Sequence, residues 1–134
     1  MSVFKLEICT AFLRSELDSN MAIIEINLPS GFEFEIDSIE QLKGKHATVM
    51  RYDLEDGNTK VNIYLSSISK KQICIDVEAN RVFKVAKPAQ SYVQVYDYYD
   101  TTKKVRAFYD PPEYRLCDIC RSSEIGIICE QNCV

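Results

Sequence analysis

Chemistry in this chain would have to start from its cysteines, of which there are six among 134 residues. Four stand near the end, spaced Cys117-x2-Cys120-x8-Cys129-x3-Cys133. Four thiolates can hold a tetrahedral zinc ion. The middle separation here is shorter than the common zinc-ribbon spacings. The other two, Cys9 and Cys74, sit in strand-like stretches. This density of cysteine suits an oxidising compartment, where thiols pair as disulfides. Disulfides are therefore the reading for the tail, and zinc is the alternative. Cys129-Glu130-Gln131 places a Gln two positions after a Cys. An internal thioester ring needs a separation of three, so this motif does not form one.

The remaining candidates have ordinary explanations. His46 is the one histidine, and nothing around it resembles a nucleophile elbow. It reads as a solvated loop residue beside Lys45. Glu33, Glu35, Asp37 and Glu40 could bind calcium or do acid–base work. Their spacing fits no EF-hand loop, and a solvated helix face explains them. Tyr92, Tyr96 and Tyr98 share a strand face, with Tyr99 alongside. They could stack on a ligand, but packing inside a sandwich is the expected role. No cofactor and no metal site is expected from these residues.

Positioning any of these groups is the work of strands. Phe4, Leu6, Ile8 and Phe12 alternate with Lys5, Glu7, Cys9 and Ala11. Ala22, Ile24, Ile26 and Leu28 alternate with Ile23, Glu25 and Asn27. The same period of two runs through Val61–Leu65 and Ile73–Val77. Each stretch predicts a strand with one buried face. Further strands fit Thr48–Leu54, Arg81–Val85, Ser91–Tyr99 and Lys104–Tyr109. Asp56-Gly57-Asn58, Pro29-Ser30-Gly31 and Asp100-Thr101-Thr102-Lys103 supply turns between them. The pattern predicts an all-β fold, an antiparallel β-sandwich. One short helix interrupts it near Asp37–Lys43, with Asp37 or Ser38 as cap, Ile39 and Leu42 three apart, and Gly44 as stop. The strand pattern ends at Pro111-Pro112. That divides the chain into a sandwich over residues 3–110 and a Cys-rich tail over 111–134. Parity places Cys9 with Lys5 and Glu7, and Cys74 with Asp76 and Glu78. Both cysteines are therefore expected on the outer face.

Composition excludes several functions. Sixteen basic residues against 20 acidic give a net charge of −4. A nucleic-acid binder needs a basic footprint that this balance lacks. No apolar run approaches the roughly 20 residues that span a bilayer. Met1-Ser2 leads directly into the first strand pattern with no signal peptide. A cysteine-rich, secreted type of chain without one reads as part of a longer extracellular protein.

Val93-Gln94-Val95-Tyr96-Asp97-Tyr98-Tyr99-Asp100 resembles the closing strand of the receptor-binding domain of the alpha-2-macroglobulin family. Four other stretches are similar to that domain in the same order. They are Ser19–Ile26, Leu28–Phe32, Val61–Leu65 and Arg81–Val85, so the resemblance covers most of Lys5–Tyr109. The family comprises thioester-containing proteins: protease-trapping macroglobulins, complement components, insect immune proteins and a membrane-anchored member. Cys9, Cys74 and Cys117-x2-Cys120 look closest to the insect and membrane-anchored branches.

The resemblance implies a β-sandwich with a short helix after the Ser-Gly-Phe turn. It implies a non-catalytic, extracellular module whose thioester lies upstream in a parent protein. Its partners would be the rest of that parent and a protein or cell-surface receptor. In the family a further strand precedes the one starting at Val3, and without it an unpaired sheet edge is expected. Macroglobulins dock a clearance receptor through two helix lysines. Those positions fall here on Ile36 and Glu40, which are not basic. Lys43 and Lys45 are the nearest substitutes. Two other functions compete: a free-standing secreted effector or toxin reusing the fold, and a small zinc-binding protein built on the tail. The expected cysteine pairing is Cys9 with Cys74, and the four tail cysteines among themselves with open connectivity.

Overall fold

The computed structural model describes residues 3–13, 17–83 and 90–110. Eight strands appear among them: β1 Val3–Thr10, β2 Ala22–Asn27, β3 Phe32–Phe34, β4 Val49–Glu55, β5 Lys60–Leu65, β6 Ile73–Arg81, β7 Ser91–Asp97 and β8 Lys104–Tyr109. Two short helical stretches, α1 Ile36–Glu40 and α2 Leu42–Lys45, lie between β3 and β4. The strands form two antiparallel sheets, ordered β1-β6-β3 and β4-β5-β2-β7-β8. The all-β sandwich with a short inserted helical segment is as the alternation predicts.

The alternation works because each strand sends every second side chain to the same face. Ile24 and Ile26 of β2 and Val61, Ile63 and Leu65 of β5 meet Ile75 and Val77 of β6 in the core. Ile39 and Leu42 close one side of that core, which is what their spacing of three requires. β2 departs from the one-face expectation. It is the central strand of the five-stranded sheet, and Ile23 and Glu25 on its outer face are buried as well. Neighbouring long side chains cover both faces of a central strand.

Local signals are met unevenly. Asp56, Gly57 and Asn58 have φ of 52°, 64° and 65°, three successive left-handed residues in the β4–β5 hairpin. Asp and Asn tolerate that region better than other side chains do. Thr59 Oγ1 donates to the Asp56 carbonyl at 2.7 Å and tightens the turn. Neither Asp37 nor Ser38 is the helix cap. Glu35, extended, precedes the first turn and makes no side-chain cap bond. Ser38 Oγ instead donates to the Glu35 carbonyl and accepts the Glu78 amide at 3.0 Å, tying α1 to β6. Gly44 lies inside α2, and the extended His46 ends it. Arg81–Val85 is not a separate strand. Arg81 closes β6, Val82 and Phe83 bend away, and residues 84–85 lie outside the described residues. The three-residue β3 was missed because Phe32-Glu33-Phe34 is too short for a period to register.

Cys9 and Cys74 are opposite one another in the β1–β6 register and are joined by a disulfide across 65 residues of chain. Both lie on the outer face with Lys5, Glu7 and Asp76. Closing a loop of that size removes conformational freedom from the unfolded chain. Replacing both with Ser should lower stability by about 2–4 kcal/mol in denaturant unfolding. A loss well under 1 kcal/mol would show that the ladder alone holds β1 (~1 kcal/mol being one ordinary hydrogen bond).

Tyr109 fixes the end of β8 by donating its hydroxyl to the Asn27 carbonyl at 2.6 Å. Burial pushes its phenol up to about 12 from an ordinary 10.0. A raised value means the protonated form stabilises the fold below pH ~10, and that this is lost as pH rises through the folded value. Asn27 O keeps Ser91 Oγ as a second donor at 2.7 Å. Tyr109→Phe should therefore cost only about 1 kcal/mol at neutral pH. It should also flatten the alkaline decline of stability, read by unfolding at pH steps above 10. An unchanged alkaline slope would assign that decline to other tyrosines.

Candidate functional site

The helical segment carries the residues singled out for recognition. Ile36 and Glu40 are four apart on α1; Ile36 is half-buried and Glu40 exposed. Glu40 Oε1 accepts the Tyr52 hydroxyl at 3.5 Å. Desolvation and the Glu40 charge together raise the Tyr52 phenol above its ordinary value. Asp37 lies in the first turn and Lys43 and Lys45 in the last. Asp37 thus stands at the amino end of α1 and the two lysines at the carboxyl end of α2, each the favoured sign for its helix end. Lys43 and Lys45 are both exposed. They are two positions apart, which sends them roughly 200° apart around a helix axis. A pair at spacing four shares a face; this pair does not. Glu35 is engaged with Asn80 Nδ2 of β6.

The outer face of the five-stranded sheet carries a connected polar network. Glu25, only 6% exposed, sits at its centre. It accepts from Asn27 Nδ2 and Gln94 Nε2, both at 3.0 Å, and faces Lys60 Nζ at 3.7 Å. Lys60 also pairs with Glu55 at 3.5 Å. Burial alone would lower the Lys60 ammonium, but Glu25 and Glu55 outweigh it and hold the group above its ordinary value. Gln94 passes the network on by accepting from Arg106 Nη2 at 3.0 Å.

The tyrosines of β7 flank this network and do not enter the core. Val93 and Val95 have the opposite parity on β7 and pack inward, so Tyr92 and Tyr96 face out. Packing inside the sandwich is thus corrected by the register. Arg106 lies over the Tyr92 ring at 4.2 Å and Arg51 over the Tyr64 ring at 3.9 Å. Tyr98 meets Tyr64 and Tyr99 edge-on, beyond the end of β7. Cation–ring pairing explains why aromatic groups are stable on a solvated face. No single-residue signal in the sequence marked Glu25, Arg51 or Arg106; only the pairing of strands brings them to the tyrosines.

Other candidates fall away. Glu7, Cys9 and Cys74 cluster closely enough to suggest a metal site. Both sulfurs are consumed in their mutual bond, so neither is a thiolate ligand. His46 is half-buried at the end of α2, and its backbone amide donates to Leu42 O at 2.9 Å. Cys117, Cys120, Cys129 and Cys133 lie outside the described residues. Between the sheets, a cleft of about 860 Å³ opens along β1 and β8. Leu6 and Ile8 form one wall, and Val95, Val105 and Ala107 another. Val105 pairs with inward-facing Val95 yet is 73% exposed, so the three-stranded sheet does not reach over β8.

Glu25→Gln keeps the shape but removes the charge that Lys60 faces. It should cost about 2 kcal/mol in equilibrium unfolding, the usual worth of hydrogen bonds to a charged group. A neutral outcome would mean that Glu55 alone satisfies Lys60.

Comparison with known proteins agrees with this architecture. The chain matches the A-macroglobulin receptor binding domain over residues 17–110. Thioester-containing protein 1 allele R1 of Anopheles gambiae is 32% identical over 127 residues, covering 93% of this chain and 9% of that protein. Cobra venom factor of Naja kaouthia is 32% identical over 131 residues, with 92% of this chain and 8% of that protein covered. Complement C3 of Naja naja is 27% identical over 135 residues, with coverage of 92% and 8%. The chain thus spans about a tenth or less of the length of these relatives. A family match over most of the sandwich, together with relatives similar along nearly the whole chain, shows that the chain belongs to the A-macroglobulin receptor binding domain family.

Proposed function

We propose that this chain is a non-catalytic extracellular interaction module, the receptor-binding domain of a thioester-containing protein that acts in innate immunity or protease inhibition. The family match over residues 17–110 carries this reading. The sandwich is then the docking unit, residues 111–134 are a disulfide-bonded tail outside it, and the parent supplies the thioester. In support of a non-catalytic role, the described cysteines are bonded to each other and the histidine stands at a helix end. A Gly-Cys-Gly-Glu-Gln sequence a few hundred residues upstream in the gene would establish the parent.

Recognition of a clearance-type receptor is weak in this reading. Such receptors present acidic pockets that take a matched lysine pair, and like charges suppress association. Here the corresponding positions are Ile36 and Glu40, near Glu33, Glu35 and Asp37. Lys43 and Lys45 splay apart and do not reproduce a pair at spacing four. Ile36→Lys with Glu40→Lys should strengthen surface binding to an acidic receptor module roughly tenfold, from two exposed ion pairs of up to ~1 kcal/mol each. The gain should shrink as salt rises. Tight binding by the unmodified domain that Lys43→Ala with Lys45→Ala abolishes would instead assign docking to those two lysines.

A further inference from the structure

The Cys9–Cys74 bond is placed differently from a structural disulfide. The disulfide of antibody domains, for example, joins the two sheets through the core. This one joins directly opposed residues of neighbouring strands, on the solvent side of the small sheet. Cys9 is exposed and Cys74 half-exposed. The strand it secures, β1, is an edge strand: among the described residues it pairs only with β6. Past the disulfide, the described backbone up to Leu13 is tied by the Phe12 amide, which donates to Ser69 O at 2.8 Å. The outward position of both sulfurs leaves the bond open to a dissolved thiol without unfolding of the domain.

The two sulfurs share an acidic neighbourhood and differ in exposure. A Glu7 carboxylate oxygen lies 3.8 Å from Cys9 Sγ. A Glu7 carboxylate oxygen is also within 4.8 Å of Cys74 Sγ, so its charge opposes an incoming thiolate at the bond as a whole. Cys9 is also the more exposed of the two and the easier to reach. Access therefore favours attack at Cys9.

We propose that Cys9–Cys74 is a reducible latch on β1, opened in the folded protein by a dithiol reductant of the thioredoxin class. The reductant's thiolate attacks Cys9 Sγ, and the Cys9–Cys74 bond breaks. The electron pair leaves on Cys74 Sγ, which takes up a proton. The reductant's second thiol then attacks the mixed disulfide, releasing Cys9 as a thiolate that is protonated in turn. The domain gains two electrons and two protons, and the reductant becomes a disulfide. With the latch open, the described contacts that hold β1 are the β6 ladder, the Lys5–Glu78 ion pair and the inward side chains Leu6 and Ile8, with Phe12 just beyond. Residues 9–13 fray at the mouth of the cleft.

The test is carried out on the full chain. Reduction by a small dithiol is followed by alkylation and peptide mapping, which separates Cys9 and Cys74 from the tail cysteines. The expected rate is linear in dithiol concentration and exceeds the rate of global unfolding. Glu7→Gln should speed it roughly two- to fivefold by removing the repulsion of the incoming thiolate. A thioredoxin lacking its resolving cysteine should be trapped on Cys9. Hydrogen exchange should show protection at residues 9–13 falling about tenfold on reduction, with β2 and β5 unchanged. Reduction that saturates at the unfolding rate overturns the proposal. So does trapping on Cys74, or unchanged exchange in the reduced domain. These readouts use the native disulfide, so a Cys9→Ser, Cys74→Ser chain that failed to fold would not affect them. They are also independent of receptor docking.

Discussion

The contact between the inner faces of β2 and β5 and the inner face of β6 is what the domain depends on. Ile24, Ile26 and Ile63 on one side and Ile75 and Val77 on the other are fully or almost fully buried. Every other element is placed by this layer. The helical segment is present because Ile39 and Leu42 fill the side of the layer that β3 is too short to cover. The hairpin at Asp56–Asn58 lets β5 return beside β4 with its apolar residues still facing inward. Burying such side chains contributes about 1.5–3 kcal/mol each, so even a few set the geometry of the loops and surface networks around them.

The same layer explains why the polar surface networks concentrate where they do. A five-stranded sheet facing a three-stranded one leaves part of its inner face uncovered, and the exposed Val105 marks the shortfall. The outer face of the larger sheet is wide enough to carry a polar network around Glu25, bordered by arginine–tyrosine pairs. The helical segment lies at the margin of both sheets, where its charged ends reach solvent. The domain thus offers three unlike surfaces: a charged helical ridge, a bonded aromatic sheet face and an open apolar edge.

Much of this was legible in the sequence, for definite reasons. Period-two alternation marks strands, because a slip in parity would put charge in the core; it located β1, β2, β4, β5, β6, β7 and β8. Gly57 and its neighbours marked a turn by backbone chemistry alone. The spacing of Ile39 and Leu42 marked a helix. Three features were hidden. β3 has too few residues to show a period. The helix start depends on Ser38 bonding to Glu78, forty residues away in sequence. The tyrosines of β7 alternate with valines, and either set could have faced inward. Only the register with β2 decides that Val93 and Val95 do. The likeness to relatives adds family membership, which none of these local signals contains.

Glu25 has a bearing on folding fidelity. β2 reads Ala22-Ile23-Ile24-Glu25-Ile26-Asn27, with isoleucine on both faces. By hydrophobicity alone, its first three residues would accept a shift of one position against β5 and β7 almost without complaint. A one-residue shift moves every side chain to the opposite face. Such a slip would thrust the Glu25 carboxylate between the sheets, away from Asn27, Gln94 and Lys60 and from water. A buried, unpaired carboxylate costs several kcal/mol. The residue that looks least suited to a central strand is therefore the one that makes its misaligned pairings uncompetitive. It acts as a proofreading element for strand alignment at the centre of an otherwise permissive sheet.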